Sequence, residues 1–502
     1  MKRVLALLLD AASPDLIEKW TDDGSLPNLR CLREGGAYGR LGSVAEWLAE
    51  GTHYAFHMGR NPGATGLAGY AVWQKATMRS RTPALDWLPF TPFWRAFRDR
   101  DPRAVVVDPA NVYAPEPFNG VEIIGWAAHD ALAPYQSYPP ELAHRIHQRF
   151  GSSLLPDEMY GLMSKGDFAN TERLLQEINR SFKSLCLELM QGEEWDLFLA
   201  YNYTLHHAGH RLWNTVNITD RLSQAEKKKM EGALRRAYVD CDEAVGGIVD
   251  AAGKDTRIMI FSVHGMGANH SRTYIFPEML RRITEGGSSS PGPLKRIREL
   301  VPQRWRHELK SRLPFELRRR LTSYWRMSEY KWATTRAFSL LSDTEAWVRI
   351  NLKGREALGI VEPGEEYEAL CAQITEGLQS YVDADTGEPL VRDIVRPQQV
   401  FRGARLAELP DLIVRWSDSP ASGHRAVSSP RDGTIPWPTP GRNPEGRSGN
   451  HRPEGMLIAA GPDIRSGAIE GAQTLDLAPT ILTLLGQAVP GEMEGRPLHL
   501  FD

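Results

Sequence analysis

Residues 196–213, DLFLAYNYTLHHAGHRLW, run from an apolar stretch straight into three histidines, His206, His207 and His210. The run up to Asn202 reads as a strand buried on both faces, because it is continuously apolar rather than alternating. Six further runs have the same character: VLALLLD (4–10), RAVVVD (103–108), VEIIGW (121–126), TRIMIFS (256–262), DLIVRW (411–416) and GMLIAAG (455–461). Amphipathic helical stretches separate them, a rhythm that predicts a doubly wound, mostly parallel α/β sheet with helices on both faces. In such sheets the ligand cleft lies beyond the carboxyl ends of the strands. That rule singles out Asp10, the histidines of 206–210 and VHGMG at 263–267, all of which directly follow a run.

The chain has 502 residues, 41% of them hydrophobic, enough for one large α/β domain over 1–502 with helical insertions. A formal net charge of −3 gives no global pull toward nucleic acid, and no nucleic-acid partner is expected. Cys31, Cys186, Cys241 and Cys371 stand far apart, with no CxxC pair, as in a reduced, cytoplasmic protein. The opening MKRVLALLLD imitates a secretory signal, but the carboxylate of Asp10 ends the apolar run, so the stretch reads as the first strand. No run has the 18 or so apolar residues of a membrane span, and there is no internal repeat, GxGxxG or Walker loop.

Two segments break the rhythm. Residues 131–190 read as a helical cap over the cleft, and 272–335 as a basic helical insertion. Within the latter, 281–330 carries thirteen Lys/Arg against five Asp/Glu. It reads either as a solvated cap or as a surface for an anionic substrate, partner or lipid headgroup.

Several stretches together resemble a known family: LLLDAASPDLIEKWTDDGSLPNLRCLREGGAYGRLGS, GRNPGATGL, WVRINLKGREALGIVEPGEEYEAL, DADTGEPLV, LPDLIVRW, GNHRPEGMLIAAGPDIRSG and TLDLAPTILTLLGQAVPGEMEGRPL. The chain is similar to the type I phosphodiesterase/nucleotide pyrophosphatase branch of the alkaline phosphatase superfamily, in particular its bacterial phosphohydrolase/phosphomutase-like members. The resemblance spans the whole chain. It implies two divalent metals, usually zinc, held at the strand ends on either side of a Thr or Ser nucleophile.

Carried over position by position, the implied site is altered. The first aspartate ligand falls on Asp10, and the histidine of the late G-x-H-r-p-e-G stretch falls on His451. The D-x-x-x-H ligand pair falls on His206 and His210, so an aspartate has become histidine. The S-D-H-G turn is SVHG here, which keeps His264 and puts Val263 where a ligand would stand. Counting back ten residues from Gly59, the nucleophile falls on Ala49.

Alanine has no lone pair for attack on phosphorus, so the covalent route is lost unless a neighbour substitutes. Thr52 and Glu50 are the neighbours, with Thr52 better placed to orient substrate than to attack. His206, His210 and His451 would be three neutral imidazoles around one divalent ion, most naturally zinc, leaving a position for water. The alternative is that these histidines only hydrogen-bond one another and nearby backbone. Asp10 and His264 remain as a weak second metal site or as an acid/base pair, in which Asp10 would raise the pKa of His264. His53 and His57 add titratable groups on the loop of Ala49, while His129, His207 and His270 read as supporting or structural.

Three functions follow. The first is a divergent enzyme with a single three-His metal, hydrolysing an ester or phosphoester, or acting as a lyase or transferase on a small anionic metabolite. The second is a conventional phosphodiesterase with a substitute nucleophile. The third is a non-catalytic binding protein.

Overall fold

All seven apolar runs form strands, and six of them share one nine-stranded sheet. In this computed structural model, which describes residues 3–84, 87–88, 90–128, 132–151, 161–285 and 330–500, the sheet comprises β1 (Val4–Leu9), β2 (Ala37–Leu41), β3 (Ala104–Val107), β4 (Gly120–Ile124), β5 (Gln136–Tyr138), β6 (Leu197–Asn202), β7 (Arg257–Ser262), β8 (Gly455–Ala460) and β9 (Gly467–Ala468). In space the order is β9-β2-β8-β7-β1-β6-β3-β4-β5. The strand β1 lies between β6 and β7, parallel to both, with Leu9 opposite Asn202 and Leu8 opposite Phe261. Their carboxyl ends are therefore level, and the residues that follow each strand meet above the same point. The strand β8 runs antiparallel to β2 and β7, and β5 antiparallel to β4, so the sheet is mostly parallel, as expected.

Successive residues of a strand point to opposite faces, and β1 accordingly feeds two cores. Leu5, Leu7 and Leu9 join one hydrophobic cluster, and Val4, Ala6 and Leu8 join the other. The first face is covered by α2 (Lys165–Gly192) and α4 (Ala233–Ala252), through Leu185, Cys186, Val245 and Ile248. The other is covered by α1 (Thr52–Met58), through Tyr54 and Phe56, and by the helix Leu477–Leu484. Between β6 and α4 stands the short helix α3 (Thr204–Leu212).

The seventh run, DLIVRW, lies elsewhere. Its strand, Leu412–Trp416, sits in a four-stranded antiparallel sheet with Ala337–Ser339, Ala346–Ile350 and Val391–Val395. Leu412 and Val414 face one hydrophobic cluster and Ile413 another. Burial on both faces writes the same apolar run whichever sheet the strand joins, so the run alone does not reveal its neighbours.

Residues 131–190, read as helical, contain β5 before the helix Pro140–Phe150 and α2. The apolar residues of α2, among them Phe168, Leu175, Phe182 and Leu189, belong to the cluster beneath the sheet. Of the basic insertion, the helix Phe276–Glu285 packs Phe276, Met279, Leu280 and Ile283 into the cluster of the smaller sheet. Residues 286–329 lie outside the described residues. Among the described residues, no helix is long and apolar enough to cross a membrane.

Candidate metal centre

Four segments bring Asp10 and four histidines to the level ends of β1, β6 and β7. Asp10 follows β1, and the backbone turns sharply after it, Ala11 taking a left-handed φ of 56°. The histidines after β6 stand on α3, started where the Asn202 side chain accepts the Thr204 N–H at 2.9 Å. On a helix, residues four apart share a face, so His206 and His210 stand one above the other. His264 follows β7 at once. His451 lies on a two-stranded antiparallel ribbon of Gly265–Ala268 with Gly449–Arg452, directly opposite Met266. The fold thus gathers Asp10, His206, His210, His264 and His451, all buried.

The donor atoms have the spacing of metal ligands. Two ligands at about 2.0–2.1 Å from a tetrahedral ion stand about 3.3–3.4 Å apart, and two such imidazole rings have centroids about 5 Å apart. His210 Nε2 is 3.2 Å from His451 Nε2. The rings of His206, His210 and His451 lie 4.6 Å (206 to 210), 5.0 Å (206 to 451) and 5.0 Å (210 to 451) apart. The ring of His264 is 4.4 Å from His451 and 6.4 Å from His206, and its donor atom lies within 4.8 Å of one on each. In two of the three rings the other nitrogen supplies the orientation. His210 Nδ1 meets the Gly449 carbonyl at 2.9 Å, and His206 Nδ1 meets Asp10 Oδ2 at 2.9 Å. An Nδ1–H held by an oxygen leaves the Nε2 lone pair for a metal, the usual support of a histidine ligand. Donor atoms of His206, His264 and His451 lie within 4.8 Å of one another, and His210, which joins neither group of three donors, reaches this set through His451, so the buried imidazoles of the cleft offer donors for a divalent ion.

Protonation agrees with this arrangement. Burial and the neighbouring imidazoles of His264, His206 and His210 hold His451 well below the usual histidine range. His264 is lowered to about 4, burial outweighing the opposite pull of Asp10. The acid/base reading required Asp10 to raise that value, and burial overrides it. Burial pushes Asp10 upward too, but the imidazoles of His206 and His53 hold it well below the carboxylate range. A neutral imidazole and an ionised carboxylate are the forms that bind metal.

Ala49, on which the resemblance puts the nucleophile, lies in a different environment. Ala49 is 1% exposed, and its N–H points to Glu345 Oε2 at 3.5 Å. Thr52 begins α1 and donates its hydroxyl to the Ala49 carbonyl at 3.0 Å. Glu50 turns away from the histidines, accepting the Asp343 N–H at 2.6 Å. Burial and the charges of Glu345 and Asp343 raise it well above the ordinary range, and burial raises Glu345 as well. Glu50 joins neither of the two groups of three potential metal donors found among the described residues: His206, His264 and His451, and Asp10, His53 and His264.

His53 is the residue that sequence reasoning undervalued. It stands on the first turn of α1, with Nε2 3.4 Å from Asp10 Oδ1. Nothing local in the sequence marks it as a donor, because its approach to Asp10 depends on how α1 docks against the end of β1. His57, on the same helix, meets the Tyr201 hydroxyl at 2.8 Å, a structural contact under the cleft. His207 and His270 are buried outside both donor groups, and His129 lies outside the described residues.

Residues 4–419 match the family described as type I phosphodiesterase / nucleotide pyrophosphatase. No curated protein matches the sequence. Among solved structures, phosphonoacetate hydrolase from Sinorhizobium meliloti 1021, bound to phosphonoacetate, is similar in fold with a TM-score of 0.51 at 12% identity, over 97% of this chain and 96% of that one. Human ectonucleotide pyrophosphatase/phosphodiesterase 5 gives a TM-score of 0.47 at 13% identity, over 98% of this chain and 97% of that one.

Proposed function

The chain belongs to the type I phosphodiesterase/nucleotide pyrophosphatase family, and on that premise we propose that it is a metal-dependent phosphoester hydrolase in which water, not a side chain, attacks phosphorus. What supports this reading is the gathering of the buried His206, His210 and His451 at the strand ends, together with the alanine that the family resemblance puts at the nucleophile position. His206, His210 and His451 would hold one ion, zinc being the natural choice for three imidazoles. Such an ion supplies Lewis acidity and an activated water near neutral pH.

The chain's own groups do the rest. Asp10 fixes the His206 tautomer, and the Gly449 carbonyl fixes that of His210, so neither ring must reorganise during turnover. Three neutral imidazoles leave the double charge of the ion uncompensated, which favours an anionic phosphoryl substrate. Thr52, at the N-terminus of α1, would donate to a phosphoryl oxygen by exchanging its hydroxyl bond to the Ala49 carbonyl for one to the substrate.

The test uses the full chain, purified without a metal-binding tag, with bis(4-nitrophenyl) phosphate as the probe. Turnover should require a divalent ion and disappear in His206→Ala, His210→Ala and His451→Ala, each still folded by circular dichroism. No phosphorylated protein should survive acid quenching. A trapped phosphoryl-enzyme, or full turnover in the metal-free protein, would sink the proposal.

A further inference from the structure

Asp10, His53 and His264 form a second trio beside the first, and its donors come from three separate elements: the end of β1, the first turn of α1 and the end of β7. His53 Nε2 is 3.4 Å and His264 Nε2 3.5 Å from the same oxygen, Asp10 Oδ1. Both distances exceed the 2.7–3.2 Å usual for an N–H···O hydrogen bond. Both come close to the roughly 3.3–3.4 Å between adjacent ligands on a tetrahedral ion. All three donors lie within 4.8 Å of one another, and the side chains of His53, Asp10 and His264 are 6%, 0% and 2% exposed.

The two trios as grouped by distance share His264, and one imidazole nitrogen serves one ion. His210 resolves the overlap. Its Nε2 lies 3.2 Å from that of His451, so the first ion can draw on His206, His210 and His451 and leave His264 to the second, although by distance His264 also stands with His206 and His451. Asp10 serves both sets through different oxygens: Oδ2 receives His206 Nδ1 at 2.9 Å, while Oδ1 faces His53 and His264.

We infer that Asp10, His53 and His264 bind a second divalent first-row ion, with His53 supplying the donor that Val263 cannot. The inference rests on the reading of the cleft as a metal centre. The buried Val263, at 0% exposed, packs into the hydrophobic cluster with Phe56 of α1, so the same docking that buries the valine delivers His53. Two imidazoles and one carboxylate are a donor set found around zinc and iron(II), with positions left open for exogenous ligands. The second position is therefore rebuilt from another element rather than vestigial.

The experiment is zinc stoichiometry on the untagged full chain, stripped with chelator, reloaded and read by elemental analysis, with a cobalt(II) titration followed by its visible absorption as a measurement on the unmodified protein. Two equivalents are expected. His53→Ala should bind one, and Val263→Asp added to His53→Ala should return the second. His53→Gln serves where the alanine variant does not fold. An unmodified protein that binds one equivalent, lost in His206→Ala and kept in the His53 variants, would overturn this site and leave the three-histidine reading standing. Two equivalents retained in the His53 variants would remove His53 as a ligand. No bound metal at all would overturn both readings.

Discussion

Gly449→Ala tests whether backbone packing, and not the histidines alone, sets the metal centre. The carbonyl of Gly449 holds His210 Nδ1 at 2.9 Å, and a Cβ at this position would sit 2.3 Å from the Gly209 carbonyl oxygen and 3.0 Å from that of Gly267. Both obstacles are backbone, so no side chain can swing aside. Reaching even 3.0 Å from Gly209 would require α3 and the ribbon to part by about 0.7 Å, against a ligand tolerance of about 0.2 Å. That motion separates His210 from His451, whose nitrogens now stand 3.2 Å apart. Zinc affinity should fall about 10–100-fold, the range found when ligand supports are lost. The overpacking itself costs about 1–3 kcal/mol, too little to unfold a chain of this size. Competition with a chromophoric chelator gives the affinity, and thermal unfolding of the metal-free protein gives the stability. Gly35→Ala is the control, since a Cβ there meets nothing within 4 Å. Wild-type zinc affinity in a folded Gly449→Ala protein would refute the reasoning.

Asp10→Asn should release the second ion and weaken the first about tenfold, because one carboxylate both binds and orients; retention of both ions at wild-type affinity in a zinc titration would contradict the shared role. His270 is lowered to about 3 by burial and by the charges of Arg452 and Arg272. It is neutral when folded and protonates on unfolding, so its contribution is present above about pH 6.5 and lost at about 1.4 kcal/mol per unit as pH falls toward 3. Between pH 7 and 5 the metal-free protein should lose about 2 kcal/mol that His270→Gln does not lose; equal changes in urea midpoint for the two proteins would refute this. Ala49→Thr alone should yield no phosphoryl-enzyme from bis(4-nitrophenyl) phosphate, because His53 replaces the donor lost at Val263 but not the negative charge of an aspartate there. A trapped adduct appearing only with Val263→Asp added would support that account, and one in the single variant would contradict it.

The sequence by itself determined the strands and what stands at their ends. A strand buried on both faces must be apolar throughout, so VLALLLD, DLFLAYN and TRIMIFS announce themselves, and Asp10, His206 and His264 follow from position along the chain. The spacing of His206 and His210 likewise survives whether the segment is read as loop or helix. Local pattern carries no information about which distant surfaces meet. DLIVRW joins the smaller sheet, Glu345 reaches Ala49 across 296 residues of chain, and His53 arrives at Asp10 only because Tyr54 and Phe56 seat α1 against β1 and β7. Those contacts are selected by packing of whole elements, in which hydrophobic burial fixes the angle and depth of docking and polar donors are carried along. The chemistry of each residue is thus written in the sequence, whereas the grouping of donors into sites is decided by the tertiary structure.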